Sequence, residues 1–477
     1  MRIKVALLAG IIYWGWVSVV RATDVTIYND DLGLVREQRT FDLKSGVSAV
    51  IMDDVAARID ATSVHFTSLK DPTGISVIEQ NFQYDLVNEN KLLEKYLGRE
   101  IEIERFVGEG KDRREILKGT LLSNVGGRVV QSGGKLYLNP EGRVVLSELP
   151  EGFVTKPRLL WRVSAKKSGK QECEVAYLTG GLSWKSDYVL KISPDDDKLD
   201  LNAWVTLTNG SGVAYKDAKL KLVAGDVNRA PQPESARRGK GMAMTQSLRM
   251  DGVEPQFQEK SFFEYHLYTL QRPATLMDNE TKQIELASGQ DVPVKKLFIY
   301  DGSANLGGYY NEYSRSDPTY GASSAEKKVW VILEFKNSKE NNLGIPLPKG
   351  TLRVYKQDTD GALEFIGEDA IDHTPKDELV RVKMGNAFDV VGERTRTNYQ
   401  ISTDRKSMTE TFEIKVRNHK DQPITVRAVE HLYRWTNWRV TEATQKWTKR
   451  DAQTIEFDVP VPKNGEGVIN YTVKYSW

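Results

Sequence analysis

The densest group of chemically capable side chains in this 477-residue chain runs from Gly367 to Glu378. It holds Asp372, His373 and Glu378, with the Thr374 hydroxyl between them. An imidazole flanked by carboxylates is the equipment of acid–base hydrolysis or of a metal site. Asp372, His373 and Glu378 are therefore the candidate catalytic residues of a hydrolase or glycan-active enzyme. The same residues suit a turn, in which Asp372 and Thr374 bond local backbone and Pro375 ends a strand. Turn chemistry is the commoner use of such residues, so the sequence leans towards a protein without catalytic residues.

Other catalytic equipment is sparse. His65, His266, His419 and His431 have no zinc-ligand spacing. Asp195-Asp196-Asp197 and Asp358-Thr359-Asp360-Gly361 start like calcium loops but lack the distal Glu. No Gly-x-Ser-x-Gly or Gly-Lys-Ser/Thr occurs. The reading is of a chain with no metal and no cofactor. Cys173 is the single cysteine. It shares one face of an alternating stretch with Val175 and has acidic neighbours, which raise a thiol pKa, so it reads as a packed side chain.

Two aromatic groups are candidates for binding. Tyr433-Arg434-Trp435-Thr436-Asn437-Trp438 offers flat rings for a sugar through Trp435 and Trp438. The competing reading is a strand with Tyr433 and Trp435 in the core and Arg434 outward. Tyr309, Tyr310 and Tyr313 lie in the Gly-, Ser- and Asn-rich stretch 302–324, the composition of an adaptable contact loop.

The elements that must position these residues are mainly strands, since apolar residues recur with period two along most of the chain. Residues 24–28 and 34–41 open the series. A helix is expected after an Asp85 N-cap, carrying Leu86, Leu93, Tyr96 and Leu97 and ending at Gly98. Short strands at 100–107, 116–123, 127–131, 135–138 and 143–147 follow, separated by Gly-Gly turns. Together they suggest a small inserted barrel of SH3 or Sm type over 85–150. Three alternating strands then end at Asn209, Asn337 and Asn418, each followed by a polar loop and another strand. Asn suits such a place by tolerating positive φ. The repeat implies immunoglobulin- or fibronectin-like β-sandwich modules. The expected organisation is a leader at 1–22, a β region at 23–84, the barrel, a sandwich at 151–230, a disordered loop at 231–260, a central sandwich at 261–400 and a last one at 401–477. Arg237-Arg238-Gly239-Lys240 makes the loop basic, fit for a solvated linker or for contact with anionic lipid or glycan.

The amino terminus indicates the compartment. Arg2 and Lys4 precede an apolar run over 5–20, and Val20-Arg21-Ala22 suits a signal peptidase. The run is shorter than the ~20 residues of a spanning helix, so no stable membrane span is expected after cleavage. The leader carries three basic residues and no acid, leaving 64 basic and 66 acidic side chains in 23–477. Such a balance gives no footprint for nucleic acid.

Several stretches resemble a known family. They are Tyr177-Leu178-Thr179-Gly180-Gly181-Leu182-Ser183-Trp184-Lys185-Ser186-Asp187-Tyr188, Thr281-Lys282-Gln283-Ile284-Glu285-Leu286, Leu343 to Tyr355, and Gly367 to Glu378. They are similar to an uncharacterised bacterial domain of unknown function that also forms the C-terminal part of mucoidy-inhibitor proteins. The resemblance extends over roughly 24–477 and lacks the long coiled-coil insertion of those proteins. It implies a bacterial envelope protein of β-sandwich type and nothing sharper. It assigns no catalytic residue. From the leader, the periplasm or the cell surface is the expected place, with an envelope protein or glycan as the expected partner.

Overall fold

The computed structural model describes residues 19–84, 88–107, 113–150, 153–225, 227–228, 256–304, 315–322, 324, 326–358 and 360–477. Strand accounts for 64% of the chain and helix for 3%, so the fold is mainly β, as the period-two rhythm requires. The sheets are open and stack as sandwich-like modules. Among the described residues no helix is long and apolar enough to cross a membrane. The chain divides into two compact units that interleave in sequence. One comprises Met1–Trp184, Leu207–Val223 and Thr269–Lys282; the other comprises Lys185–Thr206, Ala224–Tyr268 and Gln283–Trp477.

In the first unit, strand Val19–Tyr28 lies between Gly33–Leu43, antiparallel, and Tyr215–Ala224, parallel. Gly169–Thr179 continues the sheet and carries Cys173, Val175 and Tyr177 on its buried face. A second sheet is built from Gly46–Asp53, Arg158–Ala165 and Ile75–Gln83. Trp161 of that sheet is fully buried against Phe41 and Phe66 of the first, and its indole N–H donates to Gln80 Oε1 at 2.8 Å. The alternation of Gly33–Leu43 also turns Glu37 and Arg39 inward, where they pair at 2.6 Å. Burial raises the Glu37 carboxyl pKa, and Arg39 only partly offsets that rise.

The insertion expected at 85–150 has its helix at Glu89–Lys95, capped by Asn88, whose side chain accepts from Lys91 N; Asp85 and Leu86 lie outside the described residues. Leu93 and Tyr96 pack on Ile101, Ile103, Leu121 and Val130. Five strands follow in the predicted places, but they form an open sheet rather than a closed barrel. After Lys135–Leu138, Pro140 cannot donate to a ladder, and Asn139 and Gly142 have positive φ. The chain therefore turns away, and Arg143–Val145 pairs at the far edge with Glu100–Val107.

In the second unit, the 23-residue strand Leu379–Ile401 is flanked by Lys328–Lys336 and Ser407–Asn418. Gly465–Ser476 and Trp438–Ala443 extend this sheet. Ile424–His431 pairs with Thr454–Val461, and its side chains meet the others in one core of Tyr300, Phe412, Ile414, Val426, Phe457 and Tyr471. The last residues of the segment read as a loop at 231–260 are strand, which begins at Phe257.

The Asn repeat is real, but its cause is not backbone freedom. Asn209, Asn337 and Asn418 are buried and none has positive φ. Each uses its amide as a clip. Asn418 Nδ2 donates to Gln422 O and Pro462 O, both at 2.9 Å, while its Oδ1 accepts from Lys420 N. Asn337 bridges Ile345 O and Pro375 O and accepts from Gly344 N. Asn209 bridges Val213 O and Met277 O and accepts from Ser211 N. A strand end, its loop and a second segment are thereby tied through one side chain.

Candidate functional site

The strongest polar constellation is inside the second unit. Arg394 and Arg396 come from Leu379–Ile401, Glu410 from Ser407–Asn418, and Glu430 from Ile424–His431. Arg434 comes from the connection that follows Glu430's strand. Arg434, Glu410 and Glu430 have no solvent exposure, and Arg394 has 1%. Arg394 Nε meets Glu430 at 2.9 Å, and Tyr471 donates its hydroxyl to the same carboxylate. Glu410 is shared, with Arg434 Nη2 and Arg396 Nη1 each at 2.8 Å. The Arg394 guanidinium also lies 3.9 Å from the centre of the Phe412 ring. Burial works against charge on Arg394 and Arg434, yet the facing carboxylates outweigh it and leave both pKa values raised.

Three guanidiniums face two carboxylates here, and the remaining donors point at backbone. Arg394 Nη1 donates to Gly321 O at 3.0 Å, and Arg434 donates to Asp317 O at 2.9 Å and to Tyr320 O. Arg396 donates to Pro318 O and Tyr320 O, and Tyr399 donates its hydroxyl to Ser316 O at 2.7 Å. A segment without regular structure is thus held by its carbonyls. Tyr320 rests edge-on against Tyr433 at 5.3 Å, and burial pushes the Tyr433 hydroxyl up to about 12. Gly321 has φ +69°, and a Cβ there would stand 1.7 Å from the Tyr433 hydroxyl oxygen, so only glycine fits.

The other end of the same stretch is tied as well. Ser303 Oγ accepts from His431 N at 3.0 Å, and Asp301 Oδ2 meets His431 Nε2 at 2.9 Å. The Asp301 hydrogen bond raises the His431 pKa against the opposing effect of burial. A raised pKa means that the folded state favours the imidazolium. The stabilisation is complete below the unfolded value of about 6.5 and fades as pH climbs through the higher folded value. An NMR titration is expected to place His431 above an ordinary histidine, and Asp301→Asn to bring it down.

Residues 305–314, between these two tethers, lie outside the described residues, and Tyr309, Tyr310 and Tyr313 are among them. The other sequence candidates are described. Asp372 and Glu378 are exposed and His373 is half-buried. The segment is fixed by backbone: Leu347 and Thr374 exchange N–H···O bonds at 2.8 Å, Asn337 N donates to Glu378 O at 2.9 Å, and His373 Nδ1 accepts from Lys349 N at 3.2 Å. Thr374 Oγ1 donates to Asp372 O, the local bonding of a turn. Among the described residues no group of three or more His, Cys, Asp or Glu side chains is arranged to hold a metal. Cys173 is fully buried, and burial raises its thiol pKa to about 12.

The aromatic stretch departs from the alternation drawn for it. Residues 432–437 are not a strand, and it is Arg434 that is buried while Tyr433 and Trp435 are partly exposed. Glu410 makes this inversion stable by supplying the counter-charge at the end of the guanidinium. Trp435 and Trp438 are both half-buried, and both have a cation over the ring. Arg315 lies 4.6 Å from Trp435, and Lys449 lies 5.0 Å from Trp438, which is also edge-on to Trp447. A sugar seated on either covered face would have to displace that cation.

A family model described as a domain of unknown function, DUF4139, matches residues 173–477. The chain belongs to this family. The DUF4139 region contains all four stretches on which the resemblance rested, and it contains every arginine and carboxylate of the buried network. Residues 24–172, which the resemblance also took in, lie before the match. No curated protein matches the chain. The network itself was not anticipated from sequence. A signal for it exists: Glu410 falls on the inward parity of Met408, Phe412, Ile414 and Val416.

Proposed function

We propose that this DUF4139 protein is an exported bacterial envelope protein that acts by binding, not by catalysis, and that its contact element is the Tyr-rich loop 302–324. The observation that carries this reading is the hold of Arg394, Arg396 and Arg434 on the carbonyls of Asp317, Pro318, Tyr320 and Gly321. Burying charge is costly, and here it fixes a loop end rather than a reactive group. A rigid scaffold that tethers both ends of a Tyr/Gly/Ser-rich segment is a common design for recognition loops.

Export is supported by the leader, and the first strand keeps most of its ladder once the leader is removed. The ladder of Val19–Tyr28 with Gly33–Leu43 is irregular between Val20 and Ala22 and regular from Ala22 to Ile27. Cleavage after Ala22 leaves Thr23–Ile27 paired. The partner in this reading is an envelope protein or glycan. The test compares retention of the processed chain on cell-envelope fractions with that of a variant whose residues 305–314 are replaced by a Gly/Ser linker. Wild type is expected to be retained and the variant released, with protease or muramidase treatment of the fraction separating protein from glycan. Equal retention of both chains overturns the loop's role, and recovery of unprocessed chain from the cytosol overturns export.

A further inference from the structure

The outer face of the sheet around Lys328–Lys336 carries a recess of about 210 Å³. Its residues alternate with Tyr300 and Val329, which point to the core on the other face. Drug-sized ligands take roughly 300–1,000 Å³, so this recess suits a smaller molecule. Register sets its floor. Leu297 pairs with Ile332, and Ile299 follows two residues on along the same face, so three aliphatic side chains meet. Lys383 stands across from Ile332 on the neighbouring strand Leu379–Ile401, and Asp369 enters from Leu363–Ile371.

The charges around the floor are balanced in number but not all matched in pairs. Arg381 Nε meets Glu334 at 2.7 Å, and Arg427 Nε meets Asp458 at 2.9 Å. Glu456 lies 3.5 Å from both Arg427 and Arg450. Among the described residues, Lys383 and Asp369 are left with no ion-pair partner. The Asp369 oxygens accept from Lys383 N at 2.7 Å and from Ala370 N at 2.9 Å, neutral backbone donors that leave its charge uncompensated. Lys383 Nζ instead sits 3.3 Å from the centre of the Trp330 ring. The recess thus offers one unmatched cation and one unmatched anion beside an aliphatic floor. A monoanion would bring its charge up to Asp369 with nothing to offset it, and a monocation would do the same at Lys383. A zwitterion matches both.

We propose that this recess binds a free α-amino acid with an aliphatic side chain, its carboxylate on Lys383, its ammonium on Asp369 and its side chain on Leu297, Ile299 and Ile332. An α-amino acid carries all three groups on one carbon, as three such closely set features require. This site is separate from the 302–324 loop, and its test leaves that loop intact.

Isothermal titration calorimetry of the processed chain with L-leucine is expected to show saturable binding at millimolar ligand. Leucinamide lacks the carboxylate and 4-methylpentanoate lacks the ammonium. Each is expected to bind about tenfold or more weakly, the loss of one charge-assisted contact. Glycine is expected to bind more weakly too, because it leaves the floor wet. Lys383→Gln and Asp369→Asn are each expected to lose a factor like that of the matching analogue. Lys383 is exposed, so Lys383→Gln is expected to melt with the wild type, and the ligand series needs no variant at all. Absence of leucine binding, equal binding of leucine and either analogue, or undiminished binding by Lys383→Gln overturns the proposal.

Discussion

Glu410→Gln is expected to lower the stability of the second unit by about 3–5 kcal/mol, the cost of stripping a buried ion pair of one partner. Glu410 has no solvent exposure and accepts from two guanidiniums, Arg396 and Arg434, each at 2.8 Å. Glutamine keeps the shape and removes the charge, so both arginines remain in the core without a counter-ion. Arg434→Met is expected to cost a similar amount, because it removes a donor from Asp317 O and one from Tyr320 O as well. The double variant Glu410→Leu/Arg434→Met is expected to recover only part of the loss, since it removes the Glu410–Arg434 pair together but leaves Arg396 without its carboxylate. Chemical denaturation followed through the tryptophan signal checks the order, with each transition fitted separately because the chain has two units. The loop supplies a second readout. Its Asp317, Pro318 and Tyr320 carbonyls lose donors in Glu410→Gln as Arg396 and Arg434 shift, so proteolysis within 302–324 is expected to quicken under native conditions. A cost under ~1 kcal/mol would mean that water already reaches the network.

The legibility of these features in the sequence follows from what period-two patterning can and cannot report. Phe412, Ile414 and Val416 alternate up to Asn418, and so the existence of this strand and its buried face are plain in the residues, whereas its start at Ser407 is hidden by Glu410 on the inward parity. The helix at Glu89–Lys95 is equally plain from Leu93, Tyr96 and Gly98, although the cap is Asn88. Patterning reports which parity faces inward, not what an inward charge will meet. Glu410 on the parity of Phe412, and Glu37 on the parity of Val35 and Phe41, are visible anomalies. Their partners lie on other strands or on the same strand two residues on, and spacing alone does not rank these choices. Arg434 was harder still. Its neighbours Tyr433 and Trp435 are better core residues by type, and only the position of Glu410 reverses the preference. The Asp372–Glu378 segment shows the opposite case: residue types that suit catalysis occupy a backbone-bonded turn because Leu347 and Thr374 bridge there.

Asn418→Ala is expected to cost about 2–4 kcal/mol, summed over three hydrogen bonds of roughly 1 kcal/mol each plus the penalty for groups left unpaired. The amide donates twice, to Gln422 O and Pro462 O, and accepts from Lys420 N, and the side chain is 1% exposed. No other side chain of that size offers two donors and an acceptor in one plane. Asn418→Asp distinguishes this clip from simple packing. The substituted carboxylate fills the same volume but turns two attractive contacts into repulsive ones. It is expected to be at least as damaging as alanine at neutral pH. Acidification is expected to restore part of the loss, since the protonated acid donates once and the site opposes the charged form. The sign follows from linkage: a carboxyl whose folded pKa is raised destabilises above that value and is relieved below it. Asn209→Ala is expected to act in the same way within its own unit, because its amide bridges Val213 O and Met277 O by the same geometry. Unfolding curves of the two aspartate and alanine variants against pH decide the matter. A pH-independent loss in Asn418→Asp would mean that volume, not hydrogen bonding, is why asparagine ends the strand.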